Sequence, residues 1–494
     1  MANEVTFQHP DYKAALPDWE LVADAAAGER AVKAAGEKYL PKPNKADTSR
    51  ENQARYEQYV ARAMYYNATR RTLSGLCGVA FNKWPEIELT GSLEEFQNNV
   101  TGAGVPLVQH AQATLAEILK TGRAGLLADY PKTDGAVSRA DQKSGGIQPT
   151  ITMYPATAII NWRTFKRGSE VLLKFVVLAE THETDNGFEL KQEPQFRVLR
   201  LTEAGVYQVE IWRKVKDSAS NKEEWREIIE ERSFPTTGAG KRWDRIPFQF
   251  IGSIDNDASV DPAPLRDLAV VNMAHYRNSA DYEDSVYFCG QPQVWMAGLD
   301  EVWVKLLKEE GVYFGSRSYL PLPMGASAGL LQAQPNSLVE GAMKNKEAQM
   351  AALGARLLTA GSANAARKTA TEVDSDDATA HSVLSLCCDN VSLGYQQVLT
   401  WAAMFSNAPD NVVFSIGTEF IAANIDAPLL TAMVQAVQAG ALPLSEFWAK
   451  LRSGGLIASD KTDEQIREEI SKNPPATGGA LDDDTDDIET TEAA

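Results

Sequence analysis

The sequence predicts an α+β protein whose helices and strands are segregated along the chain. Three observations carry that prediction. Apolar residues recur at three-and-four spacing through long stretches before Tyr130 and after Pro264. Between about Gln148 and Gly252 the pattern changes to alternation and short apolar runs, punctuated by turns such as Asp185-Asn186-Gly187. No strand–helix–strand repeat appears, which argues for an antiparallel meander or sandwich over a parallel sheet.

From about Trp19 to Tyr130 the chain reads as helical. Over Asn52 to Leu76, Tyr56, Tyr59, Val60, Ala63, Tyr66, Arg70 and Leu73 share one helical face. Leu93 to Val100 is a further helix, as is Val105 to Lys120 with its stripe of Leu107, Ala111, Leu115, Ile118 and Leu119. Arg123 to Tyr130 reads as a strand that stops at Pro131. The β-rich part follows, with strands over Ile151–Tyr154, Leu172–Ala179, Phe196–Leu201, Val206–Val215, Trp225–Glu231 and Pro247–Ile251.

Pro264 suits the first turn of a helix running to about Phe288, on which Leu265, Leu268, Asn272, Tyr276, Ala280, Glu283 and Tyr287 share a face that is only partly apolar. An irregular Pro/Gly stretch, Gly290 to Pro335, comes next. A helix from Asn336 to Thr359 follows, with Val339, Met343, Met350, Leu353 and Leu357 in line. After a small polar loop, a helix from about Glu372 carries the stripe Leu384, Cys387, Val391, Tyr395, Val398, Ala402 and Phe405. Each long helix is on the order of 35 Å. Val412 to Ile416 is a strand, and Pro428–Ala439, Leu444–Arg452 and Thr462–Lys472 are short helices.

Charge narrows the function. The net charge is −19, whereas proteins that grip nucleic acid are normally basic, because phosphate neutralisation drives their affinity. Part of the acidity lies in the stretch from Pro474 to Ala494, which has seven carboxylates, no Lys or Arg, and the Pro, Gly and Thr content of a disordered tail. The sequence has no apolar run long enough for a membrane span and no secretory signal pattern at its start. The four cysteines form no CxxC pair, so neither a zinc site nor a disulfide framework is expected, and a reducing cytosol fits.

Catalytic motifs fare poorly. Gly325-Ala326-Ser327-Ala328-Gly329 matches the nucleophile elbow of serine hydrolases, but prolines precede it and no α/β sheet supports it. Gly238-Ala239-Gly240-Lys241-Arg242 lacks the Gly and Ser/Thr of a phosphate-binding loop and reads as a solvated hairpin turn. His182-Glu183 lacks the second His of a zinc helix. Asp374, Asp376 and Asp377 suit a helix N-terminus better than a cation site. No catalytic residue, metal or cofactor is expected.

The loop from Gly361 to Thr371 stands out instead. Arg367 and Lys368 are its only charges, set among small residues in an acidic chain. Taken alone they are solvated charges on a connector, with Thr369 or Thr371 available to cap the next helix. The order of elements around them changes that reading.

That order is similar to the portal (head-to-tail connector) protein of tailed bacteriophages, over about Trp19 to Lys472. Tyr39-Leu40-Pro41 and the stretch from Tyr56 to Gly-Val-Ala-Phe81-Asn-Lys-Trp-Pro85 resemble the family's first long helix and its turn. Gly125-Leu-Leu-Ala-Asp-Tyr-Pro131 resembles its first wing strand. The most specific match is Ile246-Pro-Phe-Gln-Phe-Ile-Gly252 followed by Pro264-Leu-Arg-Asp-Leu-Ala-Val-Val-Asn-Met-Ala-His-Tyr-Arg-Asn-Ser-Ala-Asp281, which resembles the strand feeding the first stem helix. Lys368-Thr-Ala-Thr-Glu372 lies where the family opens the helix after its tunnel loop, and Gln435 to Ile457 resembles the crown. The acidic tail has no family counterpart.

The resemblance implies a portal fold with a helical and β-rich wing, a two-helix stem, a small α/β clip and a helical crown. Residues 1–49 would be an N-terminal arm, 50–261 the wing, 262–289 and 336–359 the stem, 290–335 the clip and 360–371 the tunnel loop. Residues 372–423 would return to the wing, with 424–473 the crown and 474–494 the tail. It also implies a non-enzymatic homo-oligomeric ring, usually a dodecamer, at one vertex of the virion and assembled in the host cytoplasm. Double-stranded DNA would pass through it during packaging and ejection. The large terminase subunit, the capsid or scaffolding protein and a head-completion or tail protein would be its partners, with no membrane. Asn364, Arg367 and Lys368 would line the channel at the tunnel loop, and the partly polar face of the helix after Pro264 would be a subunit interface and a wet channel wall, not a monomer core. The competing readings are a hydrolase using Ser327 and a capsid or baseplate protein without a channel.

Overall fold

The computed structural model describes residues 4–131, 147–216, 223–290, 293–310, 322–331, 337–358, 382–409, 411–418, 420, 433–437, 443–453, 457 and 461–472. The chain divides into two compact units, 1–418 and 419–494. The first is a mixed α+β body, as its alternating periodicities predict.

Helix α1 (Pro10–Ala27) begins at a His9 cap whose Nδ1 accepts from the Asp11 amide, with Pro10 in its first turn. It buries Trp19 and Val22. Gly28, at φ 98°, turns the chain into the short α2 (Glu29–Ala34). The predicted helix over Asn52–Leu76 is two helices, α3 (Arg50–Arg62) and α4 (Ala68–Ala80). Asn67 caps the second by accepting from the Arg70 amide at 2.9 Å. Residues 91–97 form a 3₁₀ turn where a helix over 93–100 was expected. Helix α5 (Leu107–Thr121) ends at Gly122, whose φ of 73° and close approach to the Asp261 and Pro262 carbonyls leave no room for a side chain.

Strand β2 (Arg123–Asp129) is the centre of an antiparallel three-stranded sheet in the order β3-β2-β9, with β3 at Thr150–Pro155 and β9 at Phe248–Gly252. A five-stranded antiparallel meander runs β4 (Ile159–Arg167), β5 (Glu170–Asp185), β6 (Leu190–Leu201), β7 (Tyr207–Lys216) and β8 (Glu223–Glu227). Alternation does not reveal β4, because its first four residues are all buried and the remainder is mostly charged and exposed. The expected strand over Trp225–Glu231 ends early and closes as a 3₁₀ turn, Ile229–Glu231.

Helix α6 (Arg266–Cys289) starts two residues after Pro264, which lies in the preceding turn. Helices α7 (Glu301–Glu310) and α8 (Ser337–Arg356) follow, the first flanked by β10 (Gln293–Ala297) and β11 (Ser327–Leu331). Helix α9 (Val383–Ser406) starts eleven residues later than the sequence predicts. Ser382 has an extended backbone and caps the helix by accepting from the Ser385 amide at 3.1 Å. The core lies where α9 and α5 cover the three-stranded sheet. All seven residues of the α9 stripe, from Leu384 to Phe405, are buried there. Two short strands, β1 (Glu86–Glu88) and β12 (Val413–Ser415), pair alongside.

The second unit contains α10 (Leu444–Ser453) and α11 (Asp463–Lys472). Arg452 pairs with Asp463 at 2.7 Å, Arg467 lies over the Trp448 ring, and Trp448 and Ile466 are buried. Of the expected helix over 428–439, residues 433–437 are described and helical. Residues 474–494, the expected acidic tail, lie outside the described residues.

Candidate functional site: a two-helix stalk and its tip

Helices α6 and α8 run antiparallel. His275 Nε2 meets Glu347 Oε1 at 3.2 Å near their middle, and Gly354 lies against Leu268 nearer the body. The stripe predicted on α8 does turn inward: Met350 is buried and Val339, Met343, Leu353 and Leu357 are half-buried. Its outer face exposes Lys344, Asn345, Ala348, Ala351, Ala352 and Ala355.

The partly polar face of α6 corrects an expectation. Over most of its length it is not left for another subunit, because Leu265, Leu268, Asn272, Tyr276 and Ala280 are buried within the single chain, while Glu283 is half-buried and Tyr287 exposed at its far end. Its polar members serve the break between α3 and α4. Asn272 Oδ1 accepts from the Tyr65 hydroxyl, the Thr69 amide and the Thr69 hydroxyl, while its amide group donates to the Tyr66 carbonyl. Ser279 Oγ accepts from the Met64 amide. One turn further on, Asp281 accepts from the Tyr59 hydroxyl and Asp284 from Arg62, at 2.6 and 2.7 Å. Burial and the Asp281 carboxylate push the Tyr59 hydroxyl well above its usual range.

Beyond Asp284 the stalk loses this cover. Val286, Tyr287 and Phe288 are exposed on α6, as is Leu338 on α8. The tip is a small sheet of β10 and β11, antiparallel from Gln293↔Leu331 to Ala297↔Ser327, with α7 between them in sequence. Asp300 starts α7 by accepting from the Trp303 amide. Gly329 is bare because the Trp295 indole lies against it. Trp295, Val302, Val304, Leu306, Met324 and Leu330 are all exposed. Stalk end and tip thus gather exposed apolar side chains, with the Arg62 guanidinium over the Tyr287 ring at 4.2 Å, and such a gathering is the usual mark of an interaction surface. The sequence shows little of this surface. The Val302/Leu306 spacing in α7 was its signal, masked by the Pro- and Gly-rich flanks.

Ser327 opens strand β11 opposite Ala297. A nucleophile elbow needs a strand before the serine and a helix after it. Here a turn precedes it and a strand follows, which removes the hydrolase reading. Gly238 to Arg242 is a hairpin turn, as expected: the Thr237 amide donates to Lys241 and the Gly240 amide to Thr237, with a bridge between Thr236 and Arg242. His182 and Glu183 lie on strand β5. Among the described residues no three metal-ligating side chains are gathered.

Asn364, Arg367 and Lys368, together with Asp374, Asp376 and Asp377, lie outside the described residues. Their segment is bounded, however: the Leu384 amide donates to the Leu357 carbonyl at 3.2 Å, so the end of α8 and the start of α9 are adjacent.

Residues 264–406, from the turn before α6 to the end of α9, match the family model of a domain of unknown function, DUF4055. No curated protein matches the chain. Among solved structures, the chain is similar to one from the neck of an empty gene transfer agent particle computed with C6 symmetry, at 13% identity and a TM-score of 0.39, over 82% of this chain and 90% of that one. A chain from the neck of the native particle computed with C12 symmetry matches at 14% identity and a TM-score of 0.37, over 77% and 88%. One from the virion of the native particle matches at 12% and 0.37, over 80% and 91%.

Proposed function

We propose that the chain is a non-enzymatic portal subunit. Copies of it form a closed ring, a dodecamer by the resemblance, at one vertex of a phage-like virion, and double-stranded DNA passes through the ring's centre. The observation that carries this reading is the stalk. Two antiparallel helices are anchored to the body at one end and, at the other, present an uncovered apolar surface and a small β-α-β tip. Repeated around an axis, such a stalk would cover its own exposed faces with those of its neighbours. Its small exposed alanines on α8 permit close approach.

On this reading residues 262–289 and 336–359 are the stem, 290–335 the clip, 50–261 and 372–423 the wing, and 424–473 the crown. The clip is the docking platform for the terminase and later for a head-completion or tail protein, and the wing meets the capsid or scaffold. Residues 360–371 are the tunnel loop, delivered to the channel from the Leu357–Leu384 anchor, with Asn364, Arg367 and Lys368 facing the DNA. A net charge of −19 suits a conduit that must not hold the duplex, since each neutralised phosphate would add affinity. Negative-stain imaging of the purified protein tests the reading. Axial views should show closed rings with a central hole. Monomers alone at high concentration, or open assemblies without a channel, would overturn it.

A further inference from the structure

A second feature of the first unit is built for a partner. Strand β4 pairs with β5 only as far as Leu178, and β7 pairs with β6 only from Gln195 onward. Past those points β5 and β6 pair with each other alone, from Thr181↔Pro194 out to Asp185↔Leu190. The result is a two-stranded ribbon reaching about 15 Å beyond the sheet. Its turn is well made: Asp185 accepts from the Gly187 amide, Asn186 accepts from the Glu189 amide, and Gly187 takes a φ of 100°. At the apex Phe188 is wholly exposed and Leu190 is half exposed. Glu183, Asp185, Glu189 and Glu193 make the ribbon acidic against the single Lys191. An isolated two-stranded ribbon is marginal in water, and a bare aromatic at its apex adds apolar surface that none of the described residues covers.

The same unit carries a receptor of matching character. A groove of about 1220 Å³ lies between the β6–β7 face and the chain after β8, with Tyr130, Phe234 and Phe405 on its apolar wall. The arginines on its floor are committed: Arg197 to Asp129 and Glu180, and Arg213 to Glu231. Gly240 lines the groove, and the next two residues, Lys241 and Arg242, are exposed with no ion pair among the described residues. The ribbon cannot fill its own groove, because it continues the β6 strand that floors it and is held straight in register away from Gln195.

We propose that Phe188 of one subunit seats in the Tyr130–Phe234 groove of the next copy, with the ribbon carboxylates facing Lys241 and Arg242. Such a contact joins two different surfaces head to tail, the kind that closes into rings. The inference rests on the ring reading above but is tested separately from it. A Glu189→Cys, Arg242→Cys variant keeps the Phe188 anchor and should give a ladder of covalent oligomers under oxidation, absent from either single variant. Phe188→Ser should raise the concentration needed for assembly about tenfold, the effect of losing one aromatic anchor. Rings by negative stain without a ladder, and with unchanged assembly of Phe188→Ser, would overturn the ribbon contact and leave the ring reading intact. Absence of both rings and ladder would overturn both.

Discussion

Asn272 and Thr69 are bonded twice: the Asn272 side-chain oxygen accepts from the Thr69 amide at 3.1 Å and from its hydroxyl at 2.9 Å, with both residues fully buried. This contact decides where one predicted helix becomes two. The Thr69 amide is satisfied by a side chain from the stalk, and the Tyr66 carbonyl accepts from that same side chain as well as from the Ala68 amide, so stalk and body are joined by polar bonds that water cannot replace. Asn272→Leu keeps the volume and removes the bonds, leaving buried donors unpaired at about 1–3 kcal/mol each. The variant should lose about 4 kcal/mol of unfolding free energy in a denaturant titration. A loss below about 1 kcal/mol would mean that the break is held by something else.

A different buried group sets a pH dependence. His110 Nδ1 and the Tyr395 hydroxyl are 2.6 Å apart, Thr114 completes the cluster, and burial lowers the His110 pKa to about 4. The unfolded chain protonates this imidazole near pH 6.5 while the folded chain keeps it neutral. Stability from this site is therefore complete above about pH 6.5 and falls as pH drops towards 4. Between pH 7 and 5 the loss should be about 2 kcal/mol. His110→Gln should unfold with a correspondingly flatter pH profile over that range, measured by denaturant midpoint. Equal slopes for the two proteins would show that His110 titrates normally in the fold.

The contrast between these two sites shows which features a sequence displays. Helix α9 was legible because Leu384, Cys387, Val391, Tyr395, Val398, Ala402 and Phe405 bury against one sheet, and a one-sided environment imposes one periodic stripe. The break at 63–67 was not, because Tyr59, Ala63 and Tyr66 continue the helical spacing while the residue that rewards the break lies some 200 positions away. Strand β4 was hidden by burial on both faces, and α7 by its Pro- and Gly-rich flanks. The face of α6 carrying Asn272 was read as an intersubunit or wetted surface, since its polar residues have no local partner. Only the fold brings them to the backbone groups they satisfy.

Arg123 gives a test of buried charge. It is 1% exposed, its guanidinium lies 3.9 Å from the centres of both the Trp162 and Phe250 rings, and none of its three guanidinium nitrogens has a hydrogen-bond partner among the described residues. Burial lowers its pKa to about 9, against the pull of Asp257, Asp261 and Asp11. Stacking between two rings offsets the desolvation by about 2 kcal/mol per ring. Arg123→Met fills the slot without a charge and should stay within about 1 kcal/mol of the parent. Arg123→Lys keeps the charge but loses the planar stack, and should cost about 3 kcal/mol. The order of the two variants is the measurement: a lysine variant as stable as the methionine one would show that the rings contribute nothing specific to the guanidinium.

The channel assignment makes its own demand on Arg367 and Lys368. Their segment leaves and rejoins the body at the Leu357–Leu384 hydrogen bond, so the anchor of that segment does not depend on what its middle carries. Arg367→Ala with Lys368→Ala should therefore leave the thermal unfolding midpoint and the ring images unchanged. In a ring of copies the pair would supply a band of positive charge, weak in each subunit and screened over about 10 Å at ordinary salt. Its removal should reduce the DNA packaged or retained per particle, measured as nuclease-protected DNA against total capsid, and the deficit should shrink as salt is raised and screens the band in the parent protein. Normal packaging by rings of the double variant would take both residues off the channel wall and leave them as solvated charges on a connector.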